Sequence, residues 1–279
     1  MTELAQRGGS FYRQEGERTL QVTPAAAYTP VPQRERSVDL RRLRVVARRP
    51  GASLYDLEDG VAFLDFHSPK QAIGPDMVAM LEEAAERVPR EFRGLVLGSH
   101  VPPNFCVGAN LALVLLAAQE GEWDELEASV RRLQHALLRL KRLPVPVVTA
   151  PYGMALGGGA ELVLAADRAV AAAESYIGLV EVGAGVVPAG GGCKELLLRA
   201  LEGLPGGLAA LAGRSGGSPQ MVPQPDPTPA VARVFETIAT AKVSGSAAEA
   251  RSLGFLRPAD VVVPNLDHLL WVARETVLA

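Results

Sequence analysis

Apolar positions along the 279-residue chain change their period several times, and each change predicts a different element. Residues 60–66 (GVAFLDF) alternate well enough to read as a strand, which His67, Ser68 and Pro69 break. Pro75 then opens a helix over 76–88, with Met77, Met80, Leu81 and Ala84 on one face. Residues 94–98 (GLVLG) are short and wholly apolar, the pattern of a strand buried on both faces of a parallel sheet. Leu126, Val130, Leu133, Leu137 and Leu140 recur at spacings of three and four, which predicts a long amphipathic helix over 122–143. Pro144 ends it, and 145–149 read as the next strand. Strand and helix in alternation predict an α/β fold. Further on, 230–243, 247–254 and 266–278 are expected to be helical, with a short extended piece at 259–263. Residues 213–229 are rich in Gly, Pro and Ser and predict a flexible surface loop. Residues 1–50 lack clear periodicity and carry Pro24, Pro30 and Pro32, so they read as an extended lead-in and not as a separate domain.

The chemistry concentrates in residues 144–192. A β-branched run (Val145, Val147, Val148) passes into Gly157, Gly158 and Gly159 and then into the apolar pattern Leu162, Leu164, Ala165, Ala166. That is a strand entering a glycine turn that opens a helix, where amides are left free to meet a ligand. Glu161 falls in the first turn of the helix, and Glu181 stands beside a second glycine-rich turn over 183–192. Two carboxylates beside free amides suit a reaction in which a proton moves while an oxyanion develops. Residues 105–111 (FCVGANL) form another place where small residues follow a strand and expose amides. Standing alone, the glycine triplet would read as a structural turn, Glu161 as a helix-terminal charge and Glu181 as a solvated turn residue. The triplet is neither the dinucleotide fingerprint nor a phosphate loop.

Composition narrows the classes. A net charge of −3 gives no polyanion-binding signature, so nucleic acid is not expected as a partner. The basic cluster in 34–49 reads as a solvated arm or linker. Cys106 and Cys193 give neither a disulfide framework nor zinc spacing, and each is expected to pack as a small buried residue. Trp123 and Trp271 are expected to be packing anchors, and His67, His100, His135 and His268 to be satisfied or solvent-facing. Apolar runs are broken well before the roughly 20 residues of a membrane span, and residues 1–9 lack a signal-peptide core. A cytoplasmic protein is the expectation.

These residues carry a resemblance to the crotonase superfamily, typified by enoyl-CoA hydratase. The family patterns F-x-x-G-A-D, A-L-G-G-G-x-E and G-x-P-E…G-x-x-P-G-x-G-G are matched in order by 105–110 (FCVGAN), 155–161 (ALGGGAE) and 178–192, and a weaker echo lies at 246–255 (SAAEARSLGF). The match covers roughly 58–200. Asn110, Val180 and Ala189 stand where the family has Asp, Pro and Gly. The resemblance implies an α/β, crotonase-like (ClpP/crotonase) ββα spiral core over 51–200, followed over 201–279 by a flexible loop and a C-terminal helical region. It assigns the oxyanion hole to the amides of Ala109 and Gly158, and catalysis to Glu161 and Glu181 holding one water between them. Substrate binding falls to Lys70, in the turn matching the CoA-binding loop, and to Ala72, Val107, Gly108, Asn110, Leu111, Gly157 and Pro188. No metal or redox cofactor is implied; CoA arrives as part of an acyl-CoA thioester. The implied activity is enoyl-CoA hydration in fatty-acid β-oxidation. Its rivals are a Δ3,Δ2-enoyl-CoA isomerase and a non-catalytic acyl-CoA-binding or assembly module. The family implies a trimer, or a dimer of trimers, assembled through the C-terminal helices. Residues 9–12, 109–113, 178–183 and 255–258 resemble more narrowly the hydratase portion that follows an NAD-dependent 3-hydroxyacyl-CoA dehydrogenase in bacterial fusion proteins. On that reading the chain is a fragment, and 1–50 is the connector from a covalently linked dehydrogenase domain.

Overall fold

The computed structural model describes residues 12–15, 18–23, 27–30, 36–202, 204 and 226–279, and the chain divides into two compact units, Met1–Ser37 and Val38–Ala279. In the first unit, β1 (Tyr12–Glu15), β2 (Arg18–Val22) and β3 (Tyr28–Pro30) form an antiparallel meander, with Tyr12 opposite Gln21 and Leu20 opposite Pro30. Local strand pairing therefore exists inside what reads in sequence as an aperiodic lead-in. Apart from 226–229, the loop expected over 213–229 lies outside the described residues.

The second unit is built on a seven-stranded sheet of β4 (Arg44–Arg48), β5 (Ala52–Asp56), β6 (Val61–Phe66), β8 (Gly94–Gly98), β10 (Val147–Thr149), β12 (Arg168–Ala172) and β14 (Val261–Val263). The strands from β6 to β14 are parallel, and β5 and β4 extend the sheet antiparallel at one edge. Side chains alternate across this sheet as the pleat requires. Ala62, Leu64, Phe66, Leu95 and Leu97 enter one apolar cluster, whereas Val61, Phe63 and Val96 enter another. Both faces are thus covered, which is why β8 carries no polar side chain.

Helices α1 (Pro75–Glu91), α2 (Leu111–Glu120), α3 (Trp123–Lys141), α4 (Gly158–Ala165) and α5 (Gly192–Glu202) follow in chain order. Met77, Met80, Leu81, Ala84 and Val88 of α1 join the first cluster on the face that spacing predicts, and so do Ala136, Leu137 and Leu140 of α3, whose predicted Leu126 and Val130 are only partly buried. After α6 (Thr228–Ala239) and α7 (Ala247–Ser252) comes α8 (Leu269–Leu278), whose Leu269, Ala273 and Val277 recur every fourth residue and pack on the second face. The C-terminal region is helical as expected, yet its last strand and last helix belong to the central core.

The described part of the basic cluster, from Arg36 on, includes a strand. Arg44–Arg48 is the edge strand β4, because Val46 and Ala47 pack against the core while Arg44 reaches Asp56 at 2.8 Å and Arg49 reaches Glu83 at 2.9 Å. Trp123 is the other departure: at 62% exposure it anchors no core. Cys106 is fully buried as expected, but Cys193 is exposed.

Candidate active site

Two short parallel ladders lie beyond the main sheet and bring the motif segments together. Strand β7 (Ala72–Ile73) pairs with β9 (Gly108–Ala109), and β11 (Gly153–Leu156) pairs with β13 (Ser175–Gly178). Between them, Phe105 and Cys106 donate their amides to the Met154 carbonyl, and the Leu156 amide returns to the Cys106 carbonyl at 2.9 Å. The segment leading to Ala109 is thereby stitched alongside the strand leading to Gly158. A Cβ built on Gly108 would stand 3.0 Å from the Gly158 nitrogen, and one on Gly158 would stand 3.8 Å from the Ala109 nitrogen. The two amides are therefore neighbours.

Their directions follow from the backbone. The Asn110 amide donates to the Ile73 carbonyl at 3.3 Å. Successive amides alternate sides along a strand, so the Ala109 amide faces away from β7. Gly158 is the first residue of α4, and its N–H has no intrahelical carbonyl to reach. Gly157 makes the turn with φ 54° and ψ −122°, a conformation that glycine alone adopts readily, while its own amide is held by the Gly178 carbonyl at 2.9 Å.

The two carboxylates flank this turn. Glu161 lies in the first turn of α4 and is only 3% exposed; its Oε1 accepts the Gly192 amide at 2.9 Å. Burial pushes its carboxyl above the usual range, and the amides of Gly192, Gly190 and Gly191 pull it partly back. Those glycines wrap the acid closely, since a Cβ on Gly190 would lie under 3.0 Å from Oε2. Glu181 stands at the start of a 3₁₀ turn, Glu181–Ala184, with its Oε1 3.3 Å from where a Gly157 Cβ would lie. Its Oε2 is buried and accepts no hydrogen bond. Burial, reinforced by the charge of Glu161, pushes Glu181 up to about 7. An acid raised to about 7 is partly protonated at neutral pH, and the charge of Glu161 is one of the causes. Although Cys193 is exposed as a residue, partial desolvation of its thiol and then the charges of Glu161 and Glu181 raise it.

The remaining residues singled out in the sequence are distributed around this centre. Ala72 pairs with Gly108 in the β7–β9 ladder, and Val107 is half-buried next to it. Asn110 caps α2, its side chain accepting the Ala112 amide at 3.2 Å. Leu111 begins that helix and is exposed, as are Leu113, Leu115 and Leu116. Pro188 is buried and its carbonyl faces the Cys193 thiol at 3.8 Å. Lys70 is exposed with φ 58°, and makes no ion pair among the described residues. Sequence reasoning missed α2 altogether, although Asn110 before an apolar run and Gly121 after it are a start and a stop signal. It also missed the role of Gly190 to Gly192 as a cradle for Glu161, which no local pattern announces. Among the described residues no cluster of three or more His, Cys, Asp or Glu could hold a metal ion, and no helix is long and apolar enough to cross a membrane.

The pattern of the enoyl-CoA hydratase/isomerase family matches residues 56–202, more than half of the chain. The chain belongs to that family. A probable 3-hydroxyacyl-CoA dehydrogenase of Bacillus subtilis (strain 168) is 40% identical over 276 residues, covering 98% of this chain but 31% of the relative. The mitochondrial methylglutaconyl-CoA hydratase of Mus musculus is 34% identical over 129 residues, covering 46% of this chain and 40% of the relative. This chain therefore spans less than half of either relative's length. The crystal structure of an enoyl-CoA hydratase from Bacillus anthracis superposes with a TM-score of 0.63 at 24% identity, covering 82% of this chain and 75% of that one. The fold of this family member is thus the crotonase fold, with the helical C-terminal region that the resemblance implied.

Proposed function

We propose that the protein is an enoyl-CoA hydratase of fatty-acid β-oxidation, adding water across a trans-2-enoyl-CoA to give 3-hydroxyacyl-CoA. One observation carries the reading: two acids, one with a buried oxygen unpartnered among the described residues, flank the Gly157 turn, where the Gly158 amide neighbours the Ala109 amide of β9. The thioester carbonyl would accept the Ala109 and Gly158 amides, which meet the negative charge that grows on oxygen as the enolate forms. The N-terminus of α4 adds the positive end of a helix dipole at that point. Water between the acids would add to the β-carbon as one carboxylate takes its proton, and the other acid would deliver a proton to the α-carbon. Glu161 is the better base, because the Gly192 amide donates to its Oε1 and favours the ionised form, whereas Glu181 Oε2 has no such donor among the described residues. Glu181, raised to about 7 and lacking a partner at Oε2, is the better proton donor. The leucines of α2, which begins two residues beyond Ala109, offer apolar surface to an acyl chain.

The relative of which this chain matches only 31% supports a further part of the proposal, that the chain is the hydratase portion of a longer protein that also carries a dehydrogenase domain. From the family resemblance alone we further propose a cytoplasmic protein that assembles as a trimer or a dimer of trimers. The test of the activity uses crotonyl-CoA and follows loss of its enoyl absorbance. A hydratase consumes it, and Glu161→Gln and Glu181→Gln each abolish most turnover. An isomerase leaves crotonyl-CoA untouched but converts a 3-enoyl-CoA. Turnover of neither substrate overturns the enzymatic reading.

A further inference from the structure

Helix α5 touches α4 at both ends. At its start the Gly192 amide holds Glu161 in the first turn of α4. About two turns later Arg199 reaches the other end of α4: its Nη2 donates to the Leu164 carbonyl at 3.1 Å and to the Val163 carbonyl at 3.4 Å. Its Nη1 donates to the Phe255 carbonyl at 2.6 Å, tying in the turn that follows α7.

Helix α4 needs this grip. It is only eight residues long, so half of its carbonyls lack an intrahelical partner. Ala166 leaves the helix in an extended conformation (φ −77°, ψ 158°), not the left-handed turn that commonly satisfies the last carbonyls. A buried guanidinium supplies what the backbone does not, with charge-assisted bonds aimed at the negative end of the helix. The grip is costly to build: the Arg199 Nε is buried without a partner, and burial together with the neighbouring Arg257 pushes the group down to about 10. Arg257 reaches the carbonyls just beyond the helix, those of Ala166 and Asp167, at 3.4 Å, and pairs with Glu202 at 3.9 Å.

We propose that Arg199 is a positioning residue for the active site. By holding the C-terminal end of α4 it sets the helix along its axis, and so sets the Gly158 amide and the Glu161 carboxylate at the other end against Ala109 and Glu181. The inference rests on the hydratase reading above. A helix of two turns transmits a shift at one end almost undiminished to the other, and a misplacement of about 1 Å costs up to about a hundredfold in rate.

The test compares Arg199→Gln and Arg199→Lys with the wild-type chain, measuring kcat and KM for crotonyl-CoA hydration across pH, normalised to folded protein. Arg199→Gln is expected to lower kcat roughly ten- to hundredfold with KM changed less than about threefold, because the oxyanion contact strengthens only in the transition state. The rising limb of its pH profile moves to higher pH, since Glu161 leaves the amides that hold its pKa down. Arg199→Lys, which keeps the charge but not the fork, falls between the two. Unchanged kcat per folded molecule and an unmoved pH limb in both variants overturn the inference and leave the hydratase reading intact. Should Arg199→Gln not fold, Arg199→Lys decides by the same two readouts. A wild-type chain that hydrates no enoyl-CoA overturns the hydratase reading itself, and this inference with it.

Discussion

Glu161 and Glu181 border the same glycine turn but are held in opposite ways. Glu161 is sealed in a short helix, 3% exposed, with the Gly192 amide on one oxygen and two further glycine amides close by. Glu181 stands on an irregular turn, half-buried, with one oxygen that none of the described residues satisfies. Burial raises both acids; three glycine amides partly offset it at Glu161, whereas at Glu181 the backbone of Glu181 and Val180 offsets it against the added charge of Glu161. Identical side chains thus acquire different proton affinities from their supports: a cradle of glycine amides for one, and a buried oxygen without a donor for the other.

The largest effects should come from removing either acid. Glu161→Gln and Glu181→Gln are each expected to lower hydration by about a hundred- to ten-thousandfold, measured as kcat on crotonyl-CoA. Equal and slight losses would break the proposed division of labour. Gly190→Ala attacks one side alone, because its methyl would enter the space of the Glu161 carboxylate and leave Glu181 untouched. A loss of kcat of roughly a hundredfold is expected, with the limb assigned to Glu181 still in place.

Stability should distinguish the acids more gently. The folded-state pKa of Glu181, about 7, lies above its ordinary 4.5. Between those values the native protein keeps a proton that the unfolded chain has lost, so stability falls as pH rises from about 4.5 to about 7 and stays lowered above. Glu181→Gln removes this penalty. It should therefore gain about 1–3 kcal/mol over wild type at pH 8 and nothing from this source near pH 4, read from urea unfolding. The smallest effect is a control. Ser246 caps α7 by accepting the Glu249 amide at 3.2 Å, and Ser246→Ala should cost about 1 kcal/mol with the pH profile of turnover unmoved. A shifted profile there would mean that stability alone moves the titration, and the contrast between the acids would lose its meaning.

Much of the core was legible in advance. Helix α1 buries the residues its spacing selects, α3 does so only in its second half, at Leu137 and Leu140, and β8 is enclosed on both faces as its unbroken apolar run requires. The lead-in was less so: strands β1 to β3 and the edge strand β4 depend on pairing partners, which no single segment displays. Helix α2 escaped notice because its leucines face outward and give no amphipathic period, even though its caps were in plain view. Trp123 and Cys193 were both placed inside by residue type, whereas both are exposed. Local type expresses a tendency to be buried, and the surrounding elements decide whether burial occurs.

The site divides along the same line. Residue order alone announced a strand entering a glycine turn, a carboxylate one helical turn on, and a second acid by another glycine run, since these are properties of consecutive residues. Distances between segments far apart in the chain were beyond its reach. The nearness of the Ala109 and Gly158 amides comes from two small ladders, the cradle of Glu161 comes from the start of α5, and the grip on the far end of α4 comes from Arg199. Periodicity and turn chemistry act over a few residues, and long-range packing alone sets the pKa of an acid or the aim of an amide.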